Sequence, residues 1–454
     1  MKVLLIQPPS HNDLVDRIFL HEPLALECVG AGLVDDGHRV VLLDARLEPD
    51  IEGLFTGLAP DIVGLTGFTS HVTIIRDIAK RLKRLRPETL VVTGGHHATV
   101  CPEDFNIPEI DLVVVGEGVQ AMREIALCHG EGAGFDGIEG LAFPGSSGMT
   151  FTGPRAHPAL DDLPFPDRTL TKRYREYYFN EWLRPMASIR TSLGCTSRCD
   201  FCSLWSITGG HYLRRSAASV VAEMSTIAEP NVFFCDDESM CDVHRMDELA
   251  DAIREAGIRK KYFLYARADT VVRHPELFAK WRDIGLAQVF VGMETFSDAR
   301  LESMNKEMTV VQQMQAARIL ERLNVLLYAN FMVDPDYTQA DFKELKRHVR
   351  ALGLRYAAFS VLTPLPGSEL YERKKQELLS RDPEMVDMLH AITPTALPLK
   401  EFYRRFYNLY VSALPARVTL TEGLRRFGVR GMVEQLALLG RFRKLLSEAH
   451  RQYS

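Results

Sequence analysis

Three cysteines fall within eight consecutive residues, in the run Gly194-Cys195-Thr-Ser-Arg-Cys199-Asp-Phe201-Cys202. The spacing is C-x3-C-x2-C. Three thiolates on one short loop can hold three irons of a 4Fe-4S cluster, leaving the fourth iron without a protein ligand and open to a chelating molecule. Zinc is the competing reading, but zinc sites usually take four ligands from paired C-x2-C knuckles, and no second knuckle appears. Cys28, Cys101, Cys128, Cys235 and Cys241 are scattered. A secreted disulfide scaffold would be shorter and denser in cysteine, so the pattern fits a reducing cytosol with one metal site. Cys235 and Cys241 themselves read as small buried hydrophobes.

Charged residues recur where apolar runs end. Phe233-Phe234-Cys235 runs into Asp236, Asp237 and Glu238; Ala266 is followed by Arg267; Gly292-Met293 is followed by Glu294. A guanidinium at such a place can grip a carboxylate with two hydrogen bonds. A single charge there is by default a solvated turn or cap. Several of them, all after the cysteine loop, point to a binding site at one end of a sheet.

The elements that position these residues fall into two alternating series. From residue 1 to about 145, short apolar runs (Val3–Gln7, Val40–Asp44, Ile62–Thr66, Leu90–Thr93, Leu112–Val115) alternate with helical patterns such as Val72–Leu85. Near-continuous Val/Leu/Ile strands between helices imply a parallel sheet covered on both faces, a doubly wound Rossmann-like domain whose ligands sit beyond the C-terminal strand ends. Residues 146–186 open within Gly145-Ser-Ser-Gly148, carry Pro154, Pro158, Pro164 and Pro166, and read as a linker. From 187 to 390 six further strands are expected, Ser188–Leu193, Asn231–Cys235, Tyr262–Ala266, Gln288–Met293, Leu326–Val333 and Ala357–Leu362, with helices between them. Six right-handed βα units curl into a partial (β/α)6 TIM-type barrel. Residues 391–454 read as a helical C-terminal region. The fold class is therefore α/β.

With aromatic Phe201 ahead of the last cysteine, the motif resembles the radical S-adenosylmethionine superfamily signature. The resemblance implies that the open iron chelates the amino and carboxylate groups of S-adenosylmethionine, and that an electron from the cluster releases a 5′-deoxyadenosyl radical. It also implies that Asp236 and Asp237 meet the methionine amino group, Arg267 its carboxylate and Glu294 the ribose or methionine end. Thr363-Pro364-Leu365-Pro366-Gly367-Ser368 would lie near the adenine, and Trp205 and Gly209–Ser216 near the cluster.

In the first domain the strand exits read Thr66-Gly67-Phe68-Thr69-Ser70, Thr93-Gly94-Gly95-His96-His97 and Val115-Gly116-Glu117-Gly118. Glycines there let a large flat ligand approach the backbone. The set resembles the cobalamin-binding domain fused ahead of many radical S-adenosylmethionine enzymes, whose Gly-Gly-x-His-x-x-x-x-Pro stretch reads here from Gly94 to Pro102. The resemblance spans residues 1 to about 390 and implies cobalamin held by Thr66, Ser70, Gly94, Gly95, His96, Gly116 and Glu117. The Asp-x-His-x-x-Gly motif of cobalamin mutases is absent after the first strand, where Pro8-Pro9-Ser10-His11-Asn12 stands. Cobalamin without a histidine ligand is therefore implied. Dinucleotide binding is disfavoured, because no Gly-x-Gly-x-x-Gly follows that strand.

The family resemblance implies methylation of an unactivated carbon on a small-molecule or lipid substrate, with hopanoid C-3 methylases the nearest kind. Two alternatives are a radical cyclase or oxidative enzyme without methyl transfer, and a non-catalytic iron–sulfur or cobalamin-binding protein. The chemistry also calls for an external low-potential electron donor, flavodoxin or ferredoxin. A net charge of −6 argues against a nucleic-acid partner. Hydrophobic residues make up 46% and charged residues 25%, enough for full cores, and no window approaches the run of about 18 apolar residues a membrane span needs. The chain is expected in the cytoplasm. Residues 401–454 hold ten Lys/Arg against four acids. Phe402–Leu414 and Gly431–Leu446 mix apolar and basic residues, so contact with the inner membrane surface is expected as an alternative to a helical cap.

Overall fold

The computed structural model describes residues 1–11, 13–180, 183–354, 356–413, 433 and 437–453. By internal packing the chain separates into two compact units, Met1–Gly194 with Ser203–Val232, and Cys195–Cys202 with Phe233–Ser454.

The first unit is built on a seven-stranded sheet. Its strands are β1 (Lys2–Gln7), β2 (Arg39–Asp44), β3 (Ile62–Thr66), β4 (Leu90–Gly94), β5 (Leu112–Val114), β6 (Leu141–Phe143) and β7 (Thr150–Phe151), in the order β2-β1-β3-β4-β5-β6-β7. β1 to β5 pair in parallel, while β6 and β7 add an antiparallel edge. The sequence pattern did not show that edge, because strands of three and two residues carry too little periodicity.

Alternate residues of β1 feed two cores. Leu4 and Ile6 pack with Ile75, Ile78 and Leu82, and Val3 and Leu5 with Leu26, Leu33 and Ile125. Helices therefore cover both faces, as the apolar strands required. The helix Val72–Leu85 forms because Val72, Ile75, Ile78, Ala79 and Leu82 share one face, with Lys83 and Arg84 in the last turn where the helix dipole favours cations. The strand order reverses between β1 and β3, which places a ligand crevice at their C-terminal ends.

Residues beyond this sheet are tied in by buried charges. Arg168 Nη2 donates to Glu223 Oε1 at 2.7 Å, and Arg175 pairs with Glu22 and Glu229.

The six-stranded sheet runs β8 (Met186–Ile189), β9 (Asn231–Phe234), β10 (Lys261–Ala266), β11 (Leu286–Glu294), β12 (Leu326–Val333) and β13 (Tyr356–Val361), in sequence order. The strand expected over Ser188–Leu193 is interrupted. It ends at Ile189, and Ser192–Leu193 instead pairs antiparallel with Leu213–Arg214.

In the second unit β10 to β13 pair in parallel. One face is covered by helices, where Phe234 and Tyr262 meet Trp281 edge-on. The opposite face carries an aromatic row, with Phe233 stacked on Phe263 at 4.8 Å, Tyr265 4.9 Å from Phe290, and Phe290 5.6 Å from Tyr328.

In the C-terminal region the helical cap is present over Leu399–Ala413. The helix Leu399–Ala413 buries Phe402, Tyr403, Phe406 and Leu409 against its own unit, with Phe402 5.6 Å from Phe342 and Tyr410 5.2 Å from Phe359. These four side chains are spent on that cap. Leu414, at the end of the first expected stretch, and 431–432 and 434–436 of the second lie outside the described residues. Among the described residues no helix is long and apolar enough to cross a membrane.

Candidate active site

In the second unit the cysteine loop holds Cys195, Cys199 and Cys202 half-buried as free thiols. The loop is stiffened locally: Cys202 N–H donates to the Cys199 carbonyl at 3.2 Å, and Ser197 N–H to Cys195 Sγ at 3.4 Å. A thiol hydrogen bond from Cys241, with help from Ser197, lowers the Cys195 pKa to about 6 against opposing burial. Burial pushes Cys199 up, although Lys306 and Arg267 oppose it. A thiolate already favoured at Cys195 is the form an iron takes. Three half-buried thiols with two cations at hand fit a cluster held by three residues.

Cys241 is not the buried hydrophobe expected from sequence. It is only half-buried, its Sγ lies 3.2 Å from Thr196 Oγ1 inside the cysteine loop, and its thiol is raised by the bond to Cys195. Cys235 is likewise half-buried.

Arg267 follows β10 and grips the loop. Its Nη1 donates to Ser197 Oγ at 2.8 Å, Nη2 to the Glu307 carbonyl at 2.9 Å, and Nε to Asp269 Oδ1 at 2.9 Å. These bonds make it a positioning residue for the cysteine loop.

Glu294 closes β11 through a register shift after Gly292, with a left-handed φ of 60°. A bulge re-aims a side chain, and a non-glycine residue held there stores strain of the kind found at functional sites. A Cβ on residue 292 would stand 2.2 Å from Glu294 Oε1, so Gly292 makes room for that carboxylate. Glu294 is met by Lys306 Nζ at 2.6 Å, which also lies 5.9 Å from the Phe201 ring. Phe201 packs with Met304, Met332, Leu362 and Leu370.

Of the acidic run after β9, Asp236 is buried and Asp237 exposed. Glu238 is buried too; burial first, then the nearby Cys195, raise its pKa to about 8. Thr363 and Ser368, in the turn after β13, are buried, and Ser368 Oγ accepts from Tyr371 N–H as a helix cap. Sequence reasoning missed Lys306 and Glu238. A loop lysine carries no pattern, and Glu238 stood behind two aspartates that looked equally suitable.

The first unit presents its own cradle at the ends of β3, β4 and β5. Gly95 has φ 94°, and a Cβ there would lie 2.3 Å from Thr66 Oγ1 and 3.2 Å from Gly67 N. Only glycine lets these two turns close, which leaves a backbone shelf a flat macrocycle can approach. Phe68 is 63% exposed beside it. Such a shelf, with an apolar ring at its rim, fits a corrin. Thr66, Ser70, Gly94 and Gly116 are half-buried at the same strand ends. His96 is half-buried, 5.6 Å ring to ring from Phe68, with Nε2 3.3 Å from Ser203 Oγ. Its neighbour His97 is fully buried.

Glu117 behaves differently from the cofactor contact expected of it. Its carboxylate accepts from Val119 N–H and Gln120 N–H as the N-cap of the helix Gly118–Glu131. Both oxygens are engaged there.

The fold and these two sites define a radical S-adenosylmethionine protein with a corrinoid domain. The B12 binding domain family matches residues 15–126, and the Radical SAM superfamily matches residues 189–398. The chain is 30% identical over 413 residues to the hopanoid C-3 methylase of Methylococcus capsulatus, covering 89% of this chain and 78% of that protein. It is 24% identical to the anaerobic magnesium-protoporphyrin IX monomethyl ester cyclase of Rubrivivax gelatinosus, over 90% of this chain and 77% of that one. Among solved structures, TsrM of Kitasatospora setae with tryptophan and aza-SAM bound superimposes with a TM-score of 0.69 at 20% identity, covering 90% of this chain and 88% of that one. OxsB with aqua-cobalamin gives a TM-score of 0.74 at 16% identity, over 100% of this chain and 72% of that one. The chain belongs to the cobalamin-dependent radical S-adenosylmethionine methyltransferases. It is an enzyme with a 4Fe-4S cluster, S-adenosylmethionine and cobalamin as cofactors and a small molecule as substrate.

Proposed function

We propose that this enzyme methylates an unactivated carbon of an apolar, polycyclic substrate of the hopanoid kind. The observation that carries the reading is the aromatic row Phe233, Phe263, Tyr265, Phe290 and Tyr328 on the sheet face turned away from the helices. A wall of rings binds C–H surfaces without demanding polar groups. The hopanoid C-3 methylase is the relative at 30% identity.

The cofactors supply the hydrogen-abstracting radical and the methyl group; the protein supplies positions. Cys195, Cys199 and Cys202 hold the cluster. Lys306 and Glu294 set the charge beside it, Asp236, Asp237 and Arg267 face the methionine end, and the Gly95 shelf with Thr66, Ser70, Gly94, His96 and Gly116 receives the corrin. The aromatic row keeps water from the reacting carbon. An external low-potential donor, a flavodoxin or ferredoxin, reduces the cluster, in the cytoplasm. A lipid acceptor would bring the enzyme to the inner membrane surface.

The test is anaerobic reconstitution with methyl-labelled S-adenosylmethionine, cobalamin and a hopanoid extract. Wild type should form 5′-deoxyadenosine and label the lipid; a Cys195/Cys199/Cys202→Ala triple variant should do neither. The cyclase relatives favour a second reading, cyclisation or oxidation without methyl transfer. 5′-Deoxyadenosine with an altered but unlabelled product would establish it instead.

A further inference from the structure

A second group of potential ligands lies in the first unit, beside the corrin cradle but made of residues that cradle does not use: His97 follows His96 on the helix His96–Val100. His97 and Cys101 are four residues apart, on the helix His96–Val100 and its C-cap, so they rise on one side of that turn. The following 3-10 turn, Pro102–Phe105, adds Asp104. A ring nitrogen of His97, the Cys101 sulfur and a carboxylate oxygen of Asp104 all lie within 4.8 Å of one another. His97 Nε2 is 2.9 Å from Asp104 Oδ2.

The histidine is held in advance. Its side chain is 1% exposed, Nδ1 lies 3.0 Å from Thr69 Oγ1, and the Phe105 ring stands edge-on at 5.7 Å. Without an ion, Nε2–H donates to the Asp104 carboxylate and Nδ1 accepts from the Thr69 hydroxyl. On binding, the ring proton moves to Nδ1, which donates it to Thr69, and the Nε2 lone pair turns to the ion. Asp104 is 51% exposed and gives an ion a way in from solvent.

We infer that His97, Cys101 and Asp104 form a site for one divalent zinc ion, distinct from the cluster and from cobalamin. One nitrogen, one sulfur and one oxygen donor, with a fourth position left to water, make an open tetrahedral set. The thiolate and imidazole select a late first-row ion over magnesium or calcium. Binding takes the thiol proton from Cys101 to solvent, and the ion's two positive charges are balanced by thiolate and carboxylate. The ion would tie the turn that carries Gly94 and Gly95 to the one that carries Asp104, while Thr69 orients the histidine from behind.

The experiment uses the full chain loaded with cluster and cobalamin, dialysed against zinc sulfate, desalted, and measured by plasma mass spectrometry. Wild type should keep about one zinc per chain, and its zinc-edge absorption should show one sulfur at about 2.3 Å with nitrogen and oxygen at about 2.0–2.2 Å. Cys101→Ser and Asp104→Asn should lose the metal. Thr69→Val should weaken zinc affinity by about 10–100-fold. The Cys195/Cys199/Cys202→Ala variant should keep its zinc. Wild type without stoichiometric zinc, or zinc that vanishes with the cluster cysteines while Cys101→Ser retains it, overturns the inference. Should Cys101→Ser fail to fold, the sulfur count in the wild-type absorption spectrum still decides.

Discussion

Lys306 Nζ stands 2.6 Å from Glu294 Oε1, with both side chains nearly closed off from solvent. Burial works against the lysine's charge, but Glu294 and then Cys199 more than offset it and hold its pKa above the ordinary value. The pair links the strained end of β11 to the cysteine loop, because the same ammonium faces Phe201.

Removing one partner leaves the other charged and buried. Lys306→Met should therefore cost about 3–5 kcal/mol in urea unfolding of the cluster-free protein. Adding Glu294→Gln should recover much of that loss, since no unpaired charge then remains. Equal losses in the single and double variants would show that the pair is not what Lys306 contributes.

Cys241 yields a prediction about thiol chemistry. Its hydrogen bond is the main reason Cys195 titrates near 6, below the ordinary 9.0. In Cys241→Ala the Cys195 pKa should rise, so at neutral pH the cluster-free protein should react more slowly with iodoacetamide at Cys195. Peptide mapping of alkylation against pH reads this directly. An unchanged alkylation profile at Cys195 would remove Cys241 from the account. Cluster content should be preserved, because Cys241 is not among the three thiols proposed to hold the irons.

How far the sequence reached depended on how local each signal was. The helix Val72–Leu85 and the strand Leu326–Val333 were legible to the residue, because their periodicity is complete within the segment. The cysteine loop stood out because its three thiols fall within eight residues, and the structure keeps them half-buried on one loop. The edge strands Leu141–Phe143 and Thr150–Phe151 were not, since pairing rather than pattern makes them strands. Cys241 and Cys195 are 46 residues apart in sequence, and nothing in either neighbourhood announces the other. Glu117 was misleading for a different reason. An acid after a glycine at a strand exit suits a ligand and a helix cap equally, and only the bonds to Val119 and Gln120 distinguish them.

His71 sets a pH dependence. Its Nδ1 accepts from Phe68 N–H, and burial, then Arg46 and His11, hold its pKa down to about 4 from an ordinary 6.5. The unfolded chain takes the proton first as pH falls. The stabilisation is thus complete above about 6.5 and is lost as pH drops through 6.5 towards 4, by about 3 kcal/mol in all. Denaturant unfolding at several pH values should show a shallower acid slope in His71→Asn, whose amide oxygen can still accept from Phe68. Parallel slopes in variant and wild type would mean His71 is already charged in the native state.

Gly95 offers the sharpest test of the corrin cradle. Two separate costs meet any side chain there: a φ of 94° and ψ of −164°, open in practice only to glycine, and a Cβ 2.3 Å from Thr66 Oγ1. The backbone cost alone is about 1–3 kcal/mol. Gly95→Ala should therefore force the β3 and β4 exits apart and lower the cobalamin retained per chain, read from visible absorbance after desalting, while cluster content read from iron and sulfide stays near wild type. Adding Thr66→Ala removes the clashing oxygen but neither the dihedral nor the Gly67 amide 3.2 Å away, so the double variant should recover only part of the lost cobalamin. Full recovery would assign the whole effect to the hydroxyl. Undiminished cobalamin in Gly95→Ala would mean that the corrin does not rest on this shelf.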